Sequence, residues 1–456
     1  MIDGITLPGR PDLANVRKLD IGIIPMVRRI QTNGMAIDIP GMQALSAKFD
    51  ANMQRIDEQI SGMLPGSFLE KFTGETFNVD SAPQVAELLF DALGVGRGQK
   101  LKTTPSGTRQ STGKKQLEML RGEHPVIPLI LEYRENAKMK SGFSEGLQKR
   151  SVLHHKGKCC SQCGRRHYTD EWRVHPEITT TRTGTGRLSC KAPNLQTIPV
   201  RSELGREVRA MFLAGEGRKL ISCDFSQIEL RLLAHCANEL SMIEVFKNNG
   251  DIHTATAMDV FGLAKEQIDP IKHRLPCKNV GFMCLYGSSA SGLQLQLALS
   301  GLFWSLDTCE KFIAAWFAKR PGVRAYMDEQ HYHARRYGYV WELAGRVRLI
   351  PEIRSAISKV VEAGLRQAGN HRIQGTAATL MKLAMIEMTQ IQNDIWDPAH
   401  FDAEPLMTIH DELIYEVEED EAETVGRAIS RVMDGCVELR VPIRSDWKVG
   451  KRWKKE

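Results

Sequence analysis

Two neighbouring carboxylates, Asp411 and Glu412, stand in the middle of the apolar run LMTIHDELIYEV, residues 406–417. Residues 406–409 read as one strand, and the alternation of Leu413, Tyr415 and Val417 with Ile414 and Glu416 reads as a second, so His410, Asp411 and Glu412 fall at or near the turn between them. A carboxylate in buried surroundings is costly unless it is paired or holds a metal, and no basic residue lies within this run. The plainer alternative is a polar hairpin turn facing water. A further carboxylate, Asp224, closes the apolar stretch KLISCDF. If Asp224 and Asp411 converge across one sheet, they form a pair able to hold two divalent cations. Phosphoryl transfer uses such a pair, one cation for the attacking oxygen and one for the leaving group. Oxygen ligands suit Mg²⁺, with Mn²⁺ as a substitute. Glu229 carries a competing explanation, because Ser226 and Glu229 have the spacing of a helix capping box.

A second constellation is HRLPCKNVGFMCLYG, in which Arg274, Lys278, Phe282 and Tyr286 recur every four residues and spread over one broad helical face. Two cations followed by two aromatics suit a triphosphate and then its sugar and base; an amphipathic surface helix gives the same pattern. Pro276 requires the helix to start close by.

The elements that must position these residues follow from pattern. The chain has 456 residues, 42% hydrophobic and 25% charged, which is ample for a large core and for two or three domains. Its formal charge is +6, and six Lys or Arg with no acidic residue fall in the Gly/Ser/Thr-rich stretch 97–115, a loop suited to phosphates or a solvated charge run. No apolar run is long enough to span a membrane, no secretory signal opens the chain, and ten cysteines, mostly scattered, fit reduced thiols in a cytosol-like compartment. Residues 20–62 read as helical with a break at TNGMAIDIP. Ser81 and Gln84 form a capping signature ahead of a helix stopped by Gly94, and TTTRTGTGRLSC reads as strand. A helix starts at Ser226, residues 226–400 are mainly helical, and EEDEAETVGRAISRVMDGC is an amphipathic helix. Strands so far apart in sequence must meet in one sheet, so the class is α+β with helical subdomains.

In order, DFSQIELR, RLPCKNVGFMCLYG and IHDELIYEV closely resemble the three polymerase motifs of family A DNA polymerases, the group of bacterial DNA polymerase I. TGRLSCKAPNLQTIPVR, DIHTATA, GRVRLIP and NHRIQGTAATLMKLAMI resemble further signatures of that family, while FNVDSAPQVAELLF and LILEYRENAKMKS resemble its thumb. The likeness runs from about residue 20 onward, and so many ordered segments exclude a chance motif.

The resemblance implies a right-hand polymerase fold: an N-terminal segment (1–35), a thumb (36–150), a hairpin insertion (151–176), palm (177–235), fingers (236–365) and palm again (366–456). It implies DNA-templated extension of a primer 3′-hydroxyl by dNTPs. Asp224 and Asp411, with the Phe225 carbonyl, would hold two Mg²⁺ ions, and Glu412 would be an auxiliary carboxylate. Arg274, Lys278 and His253 would meet the triphosphate, Lys278 as proton donor to pyrophosphate; Gln227, Phe282 and Tyr286 would line the nucleotide. Glu229 would exclude a ribose 2′-hydroxyl. Arg187, Arg366, Asn370, Gln374 and His410 would touch primer, template or minor groove, where donors test pair shape without reading sequence. The basic loop would be the thumb tip.

The chain departs from the family pattern at Phe225, where Tyr is usual, and at Gly281 and Met283 around Phe282, which bears on nucleotide selectivity; Phe282 predicts poor use of dideoxynucleotides. With the thumb beginning within the first fifty residues, neither a proofreading exonuclease nor a 5′ nuclease is expected, so a separate exonuclease or a processivity factor is a candidate partner of a monomeric enzyme in a bacterial or phage-infected cytoplasm, an organelle being left open. HHKGKCCSQCGRRH is an addition: Cys160, Cys163 and His167, with a fourth ligand from His155, His154 or Cys159, have the spacing of a structural zinc knuckle, the alternative being a reduced thiol loop. Two other readings are a single-subunit RNA polymerase, against which Glu229 and the DELIYEV context argue, and a catalytically silent DNA-binding protein.

Overall fold

The computed structural model describes residues 5–70, 77–98, 101, 103–104, 107, 109–155, 157, 170–200, 202–287, 289–394 and 400–453; the side chains of Phe282, Cys284, Leu285 and Tyr286 are outside that description, as are Cys160, Cys163 and His167 of the proposed zinc knuckle. The chain divides into two compact units: one formed by Met1–Ala36, Leu153–Thr197 and Leu213–Trp453, the other by Ile37–Val152 with Ile198–Phe212.

The larger unit is built on a four-stranded antiparallel sheet in the order Glu404–Ile409, Glu412–Glu418, Arg218–Phe225, Ser445–Gly450. The hairpin read from sequence is present, its strands paired from Glu404 opposite Glu416 to Ile409 opposite Glu412. Strand Arg218–Phe225 lies at the centre, Asp224 facing Glu412 on one side and Asp446 on the other. Strand alternation therefore places Ser222, Asp224, Glu412 and Asp446 on one face and Cys223, Tyr415 and Trp447 on the other. Helices back the second face. The Trp447 ring packs so tightly on the Ala422–Gly435 helix that a Cβ at Gly426 would lie 2.4 Å from it, and the Tyr415 hydroxyl reaches Met388 Sδ at 2.9 Å on the long helix Ser358–Asn393.

That long helix is buried along most of its length because small residues let its neighbours close in; a Cβ at Gly375 would meet Glu342 Cγ at 2.8 Å. Several buried charges of this unit are paired. Arg173 bonds Glu416 at 2.7 Å and Glu171 at 2.9 Å, and it donates to the Asn33 and Gly34 carbonyls. Burial opposes its charge, but the two carboxylates outweigh that and raise its pKa. Lys382, fully buried, donates to Asp20 at 2.7 Å, as Arg346 does at 2.6 Å.

Helices fill most of residues 228–337, then a short hairpin pairs Tyr339–Trp341 with Val347–Leu349. The Thr-rich segment read as strand is corrected: only Glu177–Thr179 and Ser189–Lys191 pair, and the residues between them bend and turn. Glycines 184 and 186, the latter at φ 78°, suit a reversal better than an extended run.

The smaller unit packs helices Ile39–Ser61 and Val126–Met139 around Ile56, Ile60, Phe68, Leu88, Leu117, Ile127 and Ile130. Asp38 caps the first helix through Gly41 N at 2.9 Å. Ser81 caps its helix as read, but Gln84 Oε1 accepts from Asn78 N rather than closing the box on Ser81. Gly94 has φ 65°, a conformation that stops a helix.

Candidate active site

The turn between the hairpin strands is two residues, His410 and Asp411, and His410 takes a left-handed φ of 54°. It points the polar pair away from the apolar strands on either side. Phe225 N donates to the Asp411 carbonyl at 3.0 Å, so the end of the central strand is tied to the turn. Asp224 and Asp411 thus sit side by side at one end of the sheet, both half-exposed. The water-facing turn weighed above is the less complete account, because Asp411 adjoins a second carboxylate contributed from about 190 residues away.

Glu412 points elsewhere. It is only 3% exposed, and it accepts hydrogen bonds from Ser222 Oγ and from Trp453 Nε1 at 3.2 Å. Neither donor was found by sequence reasoning. Ser222 carries a signal in retrospect, since a residue two before Asp224 on the same strand shares its face; Trp453 carries none.

Glu229 is corrected on one point. The helix is Ile228–Cys236, preceded by Gln227 in a left-handed conformation at φ 53° and without a side-chain cap. Ser226 N donates to the Arg444 carbonyl. The capping box does not form because Ser226 still belongs to the strand-to-helix crossing. The buried Glu229 carboxylate instead accepts from Arg187 Nη2 at 2.7 Å, and the same nitrogen stands 3.9 Å from Asp411 Oδ1. One guanidinium therefore links a residue read as a nucleotide contact to one read as a metal ligand. Arg187 and His410 also border a small cavity of about 30 Å³ with Gln196 and Thr408.

His253 on helix Ile252–Phe261 is brought together with Lys278 on helix Leu275–Tyr286 and with Arg274, which immediately precedes that helix. A π-helical turn, Pro270–Arg274, leads into the second helix. The wider turn receives Pro276, which lacks an N–H to donate. Arg274 Nε bonds Asp251 Oδ2 at 2.6 Å and Nη2 bonds Oδ1 at 3.2 Å. Burial raises the Asp251 pKa, but Arg274 and Thr254 outweigh it and hold the carboxyl at about 2. Burial, reinforced by Arg274 and Lys278, lowers His253 to about 4, so its imidazole is neutral at pH 7.

Arg366, Asn370 and Gln374 recur every four residues on the Ser358–Asn393 helix and so share one face. Among the described residues, the buried atoms Gln227 Oε1 and Asn370 Oδ1 lack a hydrogen-bond partner, as do others elsewhere such as Asn33 Oδ1 and Gln330 Oε1. Also among the described residues, no three His, Cys, Asp or Glu side chains converge as a ready-made ligand set. Of the zinc ligands read from sequence, only His155 is described; it is exposed and its Nδ1 lies 3.8 Å from Asp170 Oδ1. Its neighbour His154 is buried and stacks on His175, with the two Nε2 atoms 3.1 Å apart. No described helix is long and apolar enough to cross a membrane.

Comparison with known proteins gives these features a family. The profile of DNA polymerase family A matches residues 40–455. The thermostable DNA polymerase I of Thermus filiformis is 36% identical over 433 residues, 94% of this chain and 47% of that protein. DNA polymerase I of Bacillus subtilis (strain 168) is 32% identical over 448 residues, 98% of this chain and 46% of that one. This chain therefore spans about half the length of these curated relatives. The polymerase domain of Pol1 from M. smegmatis, solved in complex with DNA primer-template and dNTP, aligns with a TM-score of 0.81 at 28% identity, over 96% of this chain and 72% of that one. The aspartates at the sheet end and the cationic helix face thus stand in a protein that belongs to DNA polymerase family A.

Proposed function

We propose that this chain is a DNA-templated DNA polymerase, extending a primer 3′-hydroxyl with dNTPs and releasing pyrophosphate. The observation that carries the reading is the meeting of Asp224 and Asp411 at one end of the sheet, in the same unit as the Arg274, Lys278 and His253 cluster. Asp224, Asp411 and the Phe225 carbonyl offer oxygen donors, which fit a hard divalent cation that takes its remaining ligands from water and substrate phosphate. Divalent cations held by Asp224, Asp411 and the Phe225 carbonyl would supply charge neutralisation for the attacking and leaving oxygens.

The chain's own side chains do the rest. Arg274 would exchange Asp251 for triphosphate oxygens, a like-for-like exchange of anions for a guanidinium fork. Lys278 would donate a proton to the leaving pyrophosphate as the bond from the α-phosphorus to the primer oxygen forms and the one to pyrophosphate breaks. Neutral His253 would donate a single hydrogen bond to phosphate. Glu229, pinned by Arg187, would keep a fixed carboxylate where a 2′-hydroxyl would fall. Gln227, Phe282 and Tyr286 would line the nucleotide; Arg187, Arg366, Asn370, Gln374 and His410 would meet the DNA. Residues 36–150 would supply the thumb in this reading, residues 236–365 the fingers, and residues 177–235 and 366–456 the palm. The knuckle of Cys160, Cys163, His167 and His155 is proposed to hold zinc, which metal analysis of protein purified without chelator would register as one ion per chain.

The test is primer extension on a long single-stranded template with dNTPs and Mg²⁺ under single-binding conditions. The intact chain should extend and Asp411→Ala should not; no extension by the intact chain would sink the proposal. Glu229→Ala should keep dNTP extension while admitting ribonucleotides at least tenfold more readily, an energy of about 1.4 kcal/mol.

A further inference from the structure

On the larger unit, a set of aromatic side chains distinct from the residues just discussed forms a connected surface. Tyr332 and Tyr337 belong to the helix Pro321–Tyr337, and Tyr339 and Trp341 to the hairpin strand that follows. Ring centroids run from Trp341 to Tyr339 at 6.1 Å, Tyr339 to Tyr337 at 6.0 Å and Tyr337 to Tyr332 at 6.4 Å. His333 lies within the group, stacked on Trp341 at 4.6 Å and 24° and tilted against Tyr337 at 5.8 Å. The surface faces water: Tyr332 is 57% and Tyr337 49% exposed, and Leu349, which pairs with Tyr339 and so shares its face, is 70% exposed.

The rings are held in place. Trp341 Nε1 donates to the Gly9 carbonyl at 2.7 Å, which fixes the indole plane and satisfies its only donor. Cations surround them: Arg335 and Arg336 between the two helical tyrosines, Arg354 close to Gly338, and Arg10 next to Gly9 are all exposed. Asp328 and Glu329, a turn before Tyr332, are the acidic neighbours on the helix. Three tyrosines, a tryptophan and a histidine keep polar edges that tolerate water while offering flat faces on which a base can stack.

We propose that this surface is a second nucleic-acid site, binding single-stranded DNA by stacking bases on Tyr332, Tyr337 and Tyr339 while Arg335, Arg336 and Arg354 meet the phosphates. Each base offers a flat face, so stacking of this kind is indifferent to sequence, and guanidinium groups beside the rings serve both the phosphates and the bases. The inference rests on the polymerase reading only in naming the strand, the unpaired template. Binding itself is independent of nucleotidyl transfer.

The experiment separates this site from a primer–template site. A fluorescein-labelled oligothymidylate of about 20 nucleotides is titrated, by anisotropy, into protein already saturated with a primer–template bearing a single-nucleotide overhang. The intact chain should bind it. Tyr332→Ala/Tyr337→Ala should weaken this binding about tenfold or more with its salt dependence unchanged, whereas Arg335→Ala/Arg336→Ala should weaken it and flatten the salt dependence. Tyr332→Phe/Tyr337→Phe should restore it, since the ring faces remain. All four substituted side chains are exposed, so melting temperatures should stay level. Equal binding by intact chain and both alanine variants would overturn the proposal. So would loss of self-association in sedimentation without loss of oligothymidylate, which would make the surface a contact between copies of the chain. If primer extension failed as well, the polymerase reading would fall while an intact oligothymidylate response kept this site.

Discussion

At the scale of single residues, Glu412 separates what neighbouring carboxylates do. Asp411 stands in the turn beside Asp224, whereas Glu412 turns inward to Ser222 and Trp453. A buried carboxylate loses more when a donor is removed than the bond itself contributes. Ser222→Ala should therefore cost about 1–3 kcal/mol in urea unfolding, and Trp453→Phe a similar amount, while Glu412→Gln, which keeps an acceptor, should cost less. If Ser222→Ala were neutral in stability yet abolished extension, Glu412 would be acting on the reaction directly. The meeting of Asp224 and Asp411 was legible in sequence because each stands at the end of an apolar strand, whereas the cation and aromatic spacing of residues 274–286 suits a surface helix equally and took its reading from the family resemblance. Arg187 shows the limit: its bond to Glu229 joins residues 42 apart through the fold, and no periodicity reports it.

At the scale of elements, hydrophobic alternation made the hairpin, the central strand and the Ala422–Gly435 helix readable, since each presents one apolar face to the same core. Failures fell where local preference lost to tertiary contact. Ser226 and Glu229 satisfy a capping rule on paper, yet the strand continues past Asp224, its Ser226 N–H goes to Arg444, and Gln227 makes the turn in a left-handed conformation. The Thr-rich segment has strand propensity but glycines at its centre. Packing at this scale yields its own prediction. Gly426→Ala would drive a methyl group into the Trp447 ring, backed by the sheet, and should destabilise the chain by about 1–3 kcal/mol. In a double-mutant cycle with Trp447→Leu, which opens room, the penalty should shrink; additive costs would mean that the helix shifts instead.

For the molecule as a whole, three buried or half-buried imidazoles weaken the fold as pH falls through the 4–6.5 window. Burial, reinforced by nearby guanidinium groups, lowers His235, His253 and His371 to about 4. Each is neutral in the folded chain at pH 7 and takes up a proton more readily when unfolded, where its ordinary value is about 6.5. Their contribution is complete above pH 6.5 and is lost as pH falls towards 4, on the order of 1–3 kcal/mol for each. Melting temperature should fall across that interval, and His371→Gln should make the fall shallower even if it lowers stability at pH 7. A parallel decline in both proteins would remove His371 from the account.

The order of strands in the sheet also sets a timetable for the growing chain. Arg218–Phe225 is central, yet both its neighbours arrive from beyond residue 404. At ribosomal speeds of about 5–20 residues per second, Asp224 waits roughly 10–40 s for Asp411 to be synthesised. During that time the central strand has two open edges, the condition that invites pairing with another chain. Nascent protein should therefore need a holdase over this interval, and ribosome-stalled chains ending near residue 400 should cross-link to one far more strongly than chains that have released the final strand.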